Sequence, residues 1–289
     1  MPSPPSVKKP LWLKKKIHTG GALHSVRSLL GRCRLHTVCE EARCPNLGEC
    51  FSHGTATFLI LGDVCTRSCR FCAVAGGVPD PPDPDEPSRV ADAVRELGLT
   101  YAVVTSVTRD DLPDGGASFF AETIRAIREI SPGTGVEVLV PDFGGDMNAL
   151  ETVLDARPDV LNHNVETVPR LYPAVRPEAD YTRSLGVLKV AAASVPDVPV
   201  KSGVMLGLGE TDEELRRVLD DLLANGCRLL TLGQYISPSR DHYPVVRYLP
   251  PEEFDRWRET ALEMGFKAVA SGPFVRSSYR AAEMVNRSR

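Results

Sequence analysis

Six of the eight cysteines fall into two triplets. Cys39, Cys44 and Cys50 have C-x4-C-x5-C spacing, and Cys65, Cys69 and Cys72 have C-x3-C-x2-C spacing. Thiolates are the protein ligands of iron–sulfur clusters, and a cubane takes one ligand per iron. Three close thiolates therefore hold three irons and leave the fourth with an open position, which is where chemistry happens at a metal. Structural zinc sites usually draw four protein ligands from paired C-x2-4-C units, which suits the second triplet poorly. The first triplet also says three thiolates at one site, and alone it fits a zinc knuckle or a redox loop as well.

The second triplet needs a rigid mount, and the sequence around it supplies one. Short apolar runs occupy 57–62, 101–106, 136–141, 159–165, 200–207 and 228–235, each bounded by Gly, Pro, Asp or Ser. Such runs predict parallel strands buried on both faces. Between them lie helical patterns. "TDEE" is a capping box with Thr211 at the N-cap, followed by Leu215, Val218, Leu219 and Leu222 on one face and Gly226 as a stop. Helices are also expected after Ser88, over 118–130 and over 252–264. Six βα units in succession predict an α/β fold, a partial (β/α)6 TIM-like barrel, too short for eight strands. Reactive groups in such folds gather at the C-terminal ends of the strands, and Cys65 follows the first strand directly. Three zones are expected: an N-terminal extension (1–53) with the first triplet, the barrel (54–271), and a C-terminal tail (272–289). The Pro-rich stretch 76–88 reads as a stiff, exposed connection.

Composition excludes several classes. A net charge of −4 points to no nucleic-acid partner. No apolar run reaches membrane-spanning length, and the basic start does not read as a secretory signal. The expected location is cytoplasmic. Cysteines clustered between Cys33 and Cys72 suit a metal or catalytic role rather than a disulfide framework. Cys33 and Cys227 fit neither triplet and read as ordinary small side chains.

C-x3-C-x2-C with an aromatic, Phe71, before the last cysteine and after the first strand resembles the radical S-adenosylmethionine enzymes. The longer series narrows this. "CEEARCPNLGEC", "HGTATFLILGDVCTRSCRFC", "TSVTRDDLPDGG", "NHNVETVPRLY", "KSGVMLGLGET" and "GPFVRSSY" together resemble the lipoyl synthase family from about Lys9 to the end. That resemblance implies two 4Fe-4S clusters and S-adenosyl-L-methionine. Cys65, Cys69 and Cys72 would hold the cluster whose open iron takes the cofactor, whose cleavage releases a 5′-deoxyadenosyl radical. Cys39, Cys44 and Cys50 would hold an auxiliary cluster that donates sulfur, with Ser278 of the Arg276–Tyr279 motif as fourth ligand and Ser277 as the fallback. The implied reaction is sulfur insertion at C6 and C8 of an octanoyl-lysine, with two cofactor molecules consumed.

The partners implied are an octanoylated lipoyl carrier domain, of an oxo-acid dehydrogenase or the glycine-cleavage system, and an external electron donor. Phe71 would pack a nucleobase. Thr105 and Ser106 would meet the methionyl amino group, or else cap a helix. Asn164 and Glu166 would bond the ribose hydroxyls, while His163 reads as structural. Lys201, costly inside a barrel without an acid, would take the methionyl carboxylate. Arg240 would act similarly or face the auxiliary cluster. Deleting the chain from Arg276 is expected to disable the auxiliary site and spare the barrel. The other readings are a biotin-synthase-like or methylthiotransferase-like enzyme, and a non-catalytic iron–sulfur carrier.

Overall fold

The computed structural model describes residues 8–13, 21–41, 44, 46 and 57–288. Cys50 lies outside them, as does most of the stretch joining the first triplet to the sheet. Helix α1 (Gly21–Cys33) leads into strand β1 (His36–Thr37) and the single turn α2 (Val38–Glu41), where the Thr37 hydroxyl accepts from the Glu40 N–H. Strand β2 (Thr57–Ile60) is followed by the small parallel pair β3 (Val64–Cys65) and β4 (Ala75–Gly76), which frames the cysteine loop.

The expected βα rhythm then appears. Helix α3 (Glu86–Glu96) precedes β5 (Tyr101–Ser106), α4 (Ala117–Ile130), β6 (Gly135–Leu139), α5 (Met147–Asp155) and β7 (Val160–Asn162). Next come the short α6 (Tyr172–Val175), α7 (Tyr181–Ser194), β8 (Val200–Leu206), α8 (Asp212–Ala224), β9 (Leu229–Gln234) and α9 (Pro251–Met264). The Thr211–Glu214 capping box starts α8 as the sequence predicts. Helix α3 begins two residues before Ser88 because Pro87 suits the first turn. The Pro-rich connection before it is exposed, with Val78 the most open apolar side chain.

Two elements go beyond the expected six units. The main sheet has order β1-β2-β5-β6-β7-β8-β9-β10, where β10 (Ala268–Gly272) is a seventh parallel strand beside β9. Its sequence, AVASG, is small and only partly buried, so it lacks the apolar run that marks the others. Strand β1 pairs antiparallel with β2 and extends the sheet into the N-terminal region. Among the described residues the sheet does not close, and β1 and β10 are its edges.

One face of the sheet joins the helices in the main core, through Ile60, Val104, Val138, Leu161 and Leu230. Val160, Leu229 and Ala268 belong to a second small cluster, completed by Met284 and Val285 of α10 (Ala281–Ser288). These three sit at the starts of their strands, so the tail helix plugs the end of the barrel opposite the cysteine loop. This corrects the expectation that the tail can be removed without cost. Met284 and Val285 are each 5% exposed. Burying such side chains stabilises by about 1.5–3 kcal/mol apiece. Deleting residues 276–289 is therefore expected to lower barrel stability by at least about 3 kcal/mol in denaturant titration of the cluster-free chain. An unchanged midpoint would show that α10 is not part of the fold's support.

Candidate active site

The second triplet stands where the sequence places it, on the loop beyond β2. That loop is held from several sides. The Cys65 sulfur accepts from the backbone N–H groups of Arg67 (3.4 Å) and Thr108 (3.3 Å). The Arg70 N–H donates to the Val175 carbonyl at 2.8 Å, and the Tyr243 N–H donates to the Arg70 carbonyl at 2.7 Å. Arg67, 8% exposed, is forked between Asp110 (2.7 and 2.8 Å) and the fully buried side chain of Asp142 (2.7 Å). Bidentate guanidinium–carboxylate pairing fixes geometry as well as charge. The loop is thus braced before any cluster arrives.

Burial disfavours the charged form of two of the three thiols. Burial pushes the Cys69 thiol up to about 12, while nearby Arg176 pulls it down. Burial pushes Cys72 up to about 11. Thiolates so placed need positive charge beside them, which iron supplies. Among the described residues, only His36, Glu41 and Asp63 gather ligand atoms all within 4.8 Å. The three sulfurs do not, whereas thiolates on a single tetrahedral zinc stand about 4 Å apart. Three half-buried thiols spread this way fit a cubane better than a single ion.

The strand ends around this loop carry unpaired polar atoms. Ser106 Oγ and Asn164 Oδ1 are buried and have no hydrogen-bond partner among the described residues. Buried polar atoms are rarely left unpaired, so these two fit a polar ligand above the strands. Asn164 Nδ2 donates to Glu166 (3.0 Å) and to the Ser277 hydroxyl (2.6 Å). Glu166 takes a left-handed φ of 65°. Burial raises its pKa, opposed by Arg176, Asn164 and Arg276.

Three expected cofactor contacts look different in three dimensions. Thr105 donates its hydroxyl to the Leu139 carbonyl at 2.7 Å, bonding β5 to β6. Lys201 sits at the start of β8, away from the strand ends that face the cysteines, and its Nζ meets Glu137 at 2.7 Å. The acid that a buried lysine requires stands on β6 of the same sheet, two strands away. Arg240 is exposed on the loop after β9 and makes no ion pair among the described residues. Phe71 is half-buried and packs against the main core.

Sequence reading missed the residues that brace the site. His242, two residues past Arg240, donates from Nε2 to the Cys72 carbonyl at 2.9 Å, while its Nδ1 accepts from Ser239 (2.8 Å). Arg176, 8% exposed, donates to the Asn164 and Val165 carbonyls (3.0 and 3.2 Å). None of these has a spacing signal of its own.

His163, expected to be a satisfied structural residue, is only half satisfied: its Nδ1 bonds the Val140 carbonyl at 2.8 Å, and its buried Nε2 has no partner among the described residues. Burial, reinforced by Arg176, lowers its pKa from 6.5 to about 4. The unfolded chain then binds this proton at higher pH than the folded one. Stability from this group is present above about 6.5 and is lost as pH falls towards 4. His163→Gln should flatten that loss, by roughly 3 kcal/mol across the window, in denaturation at pH 7 and pH 4. An equal acid sensitivity in both proteins would contradict this.

The described part of the first-triplet segment, at Cys44 and Asn46, meets the tail. Cys39 is buried on α2, and its carbonyl accepts from the Cys44 N–H at 3.1 Å. Asn46 Nδ2 donates to the Phe274 carbonyl at 2.7 Å. Burial lowers the Arg276 pKa, and the charges of Cys44 and Glu166 oppose this. A Cβ on Gly233 would stand 2.2 Å from the Val275 carbonyl oxygen, so only glycine on β9 lets the tail pass this close. Ser277 is engaged by Asn164, whereas Ser278 makes no hydrogen bond among the described residues.

The family model of the radical SAM superfamily matches residues 59–222, and that of the N-terminal domain of lipoyl synthase matches residues 4–44. A lipoyl synthase of Rubrobacter xylanophilus is 57% identical over 97% of this chain and 88% of its own length. One from Caldicellulosiruptor saccharolyticus is 57% identical over 96% of this chain and 97% of its own. The chain belongs to the lipoyl synthase family.

Lipoyl synthases are radical S-adenosylmethionine enzymes that insert sulfur, and membership of that family sets aside the biotin-synthase-like, methylthiotransferase-like and carrier readings. Membership brings one 4Fe-4S cluster and S-adenosyl-L-methionine with it. Solved structures agree on the fold. HydG, a maturase of the [FeFe]-hydrogenase, matches with TM-score 0.58 and 15% identity over 92% of this chain and 67% of its own. Streptococcus suis SuiB bound to S-adenosylmethionine matches with TM-score 0.53 and 10% identity over 76% of this chain and 50% of its own. No helix among the described residues is long and apolar enough to cross a membrane.

Proposed function

We propose that this lipoyl synthase carries two 4Fe-4S clusters and adds sulfur at C6 and C8 of an octanoyl-lysine on a carrier domain. Cys65, Cys69 and Cys72 hold one cluster. Cys39, Cys44, Cys50 and Ser278 hold the auxiliary one. When bound, the first cluster and the sulfonium cofactor supply one-electron cleavage and hydrogen abstraction, and the auxiliary cluster supplies sulfur. Ser106, Asn164 and Glu166 hold the cofactor's polar groups, and Phe71 stacks beside its base. Arg67, Arg176 and His242 keep the cysteine loop in register. A carrier of the oxo-acid dehydrogenase or glycine-cleavage type presents the octanoyl chain, and an external donor supplies electrons.

The observation that supports this best is the path of the tail. Arg276 lies in the electrostatic field of both Cys44 and Glu166, and Ser277 bonds Asn164. The tail therefore reaches from the first triplet to the cofactor side. Holding a carbon centre beside its sulfur source is catalysis by positioning. A serine oxygen is a harder ligand to iron than thiolate, which suits a cluster that must give up sulfur.

Iron and sulfide analysis tests the cluster count. About eight irons per chain are expected, falling to about four in Cys44→Ala. Ser278→Ala should keep the iron but alter the auxiliary cluster's spectrum, and Ser277→Ala should not. Four irons in the unmodified chain, or zinc, would contradict the reading.

A further inference from the structure

Among the described residues, one cluster of metal-ligating groups lies outside the cysteine sites. The Nδ1 of His36 stands 3.3 Å from Glu41 Oε1. Asp63 brings a carboxylate oxygen to the same place, so that all three ligand atoms lie within 4.8 Å of one another. The three come from separate elements: edge strand β1, helix α2, and the turn after β2. Each is pinned independently. β1 is registered on β2 by the pairs His36↔Leu59 and Thr37↔Phe58. The Thr37 hydroxyl caps the start of α2, which fixes Glu41. Leu61 and Gly62 both take left-handed φ, turning the chain out of the sheet, and the buried Glu86 accepts from the Leu61 N–H at 2.7 Å. His36 and Glu41 side chains are about one-third exposed and Asp63 is exposed, so the site is open to solvent.

We propose that His36, Glu41 and Asp63 form a binding site for one divalent first-row metal ion, separate from both cysteine triplets. An imidazole with two carboxylates is a borderline donor set that suits manganese, iron(II) or zinc, with water filling the remaining positions. A cation here also offsets the repulsion between two carboxylates brought this close. It ties α2, which carries Cys39, to the turn that leads into Cys65. The ion is thus a staple between the two cysteine-bearing segments, on the outer edge of the sheet. It does not depend on the assignment of the auxiliary cluster.

The test uses the cluster-loaded full chain and manganese(II) alone, followed by loss of the free ion's EPR signal. One bound ion per chain is expected. Asp63→Asn, Glu41→Gln and His36→Gln should each weaken binding at least about tenfold. Manganese should raise the melting temperature of the unmodified chain and not that of Asp63→Asn. Replacing Cys65, Cys69 and Cys72 together by alanine should leave manganese binding in place, which separates this site from the cluster sites. The proposal is overturned if the unmodified chain shows no saturable binding, or if all three ligand variants bind as it does. The second result would leave His36 and Glu41 as an ion pair only.

Discussion

Cys39→Ala is expected to keep cleaving S-adenosylmethionine while making no lipoyl product. The two triplets are mounted on different parts of the chain. Cys65, Cys69 and Cys72 are braced by Arg67, His242 and the Val175 carbonyl, and none of these braces involves α2. On the proposed assignment, removing the Cys39 thiol takes a ligand from the sulfur source and leaves the cofactor site standing. Product should fall below detection, and 5′-deoxyadenosine formation should persist within a few-fold. Cys69→Ala should lose both activities together. Mass spectrometry of the peptide product and chromatography of the nucleoside read the two arms separately. Normal lipoyl formation by Cys39→Ala would remove the auxiliary-cluster assignment.

Lys201→Ala is expected to destabilise the chain by about 3–5 kcal/mol, because it strands a buried carboxylate. Glu137 and Lys201 are both fully buried, and Glu137 also accepts from Tyr101 (3.1 Å) and Asn162 (3.3 Å). These four residues join β5, β6, β7 and β8 across the interior. The penalty belongs to the unpaired charge rather than to the pair, so a second substitution should relieve it. The double variant Lys201→Met with Glu137→Leu should recover most of the loss. Urea denaturation of the cluster-free proteins checks both. A loss below about 1 kcal/mol for Lys201→Ala would contradict the stranded-charge account.

The parts of this molecule that were legible in the sequence are those written in local pattern. Runs such as YAVVTS over 101–106 became strands over the same residues, and the Thr211 capping box started its helix. The second triplet announced itself by spacing. Strand β10 did not, because AVASG is small and half-exposed and is defined by pairing with β9. The braces were hidden for a related reason. Arg67 and Asp142 are 75 residues apart, and Cys72 and His242 are 170 apart, so only folding brings them together. Lys201 was correctly read as needing an acid, but the register that delivers Glu137 is a property of the sheet. Only the resemblance assigned a role to the tail's RSSY motif, and the apolar Met284 and Val285 gave too little pattern to reveal that α10 packs against the strand starts.

The most direct test of the central claim is a single anaerobic incubation. The reconstituted chain is mixed with an octanoyl-lysyl peptide, S-adenosylmethionine and a reductant, and the peptide is weighed by mass spectrometry. Two sulfur atoms added per octanoyl chain, with two molecules of 5′-deoxyadenosine formed, is the predicted result. Cofactor cleavage with an unchanged peptide mass, from protein carrying both clusters, would contradict it.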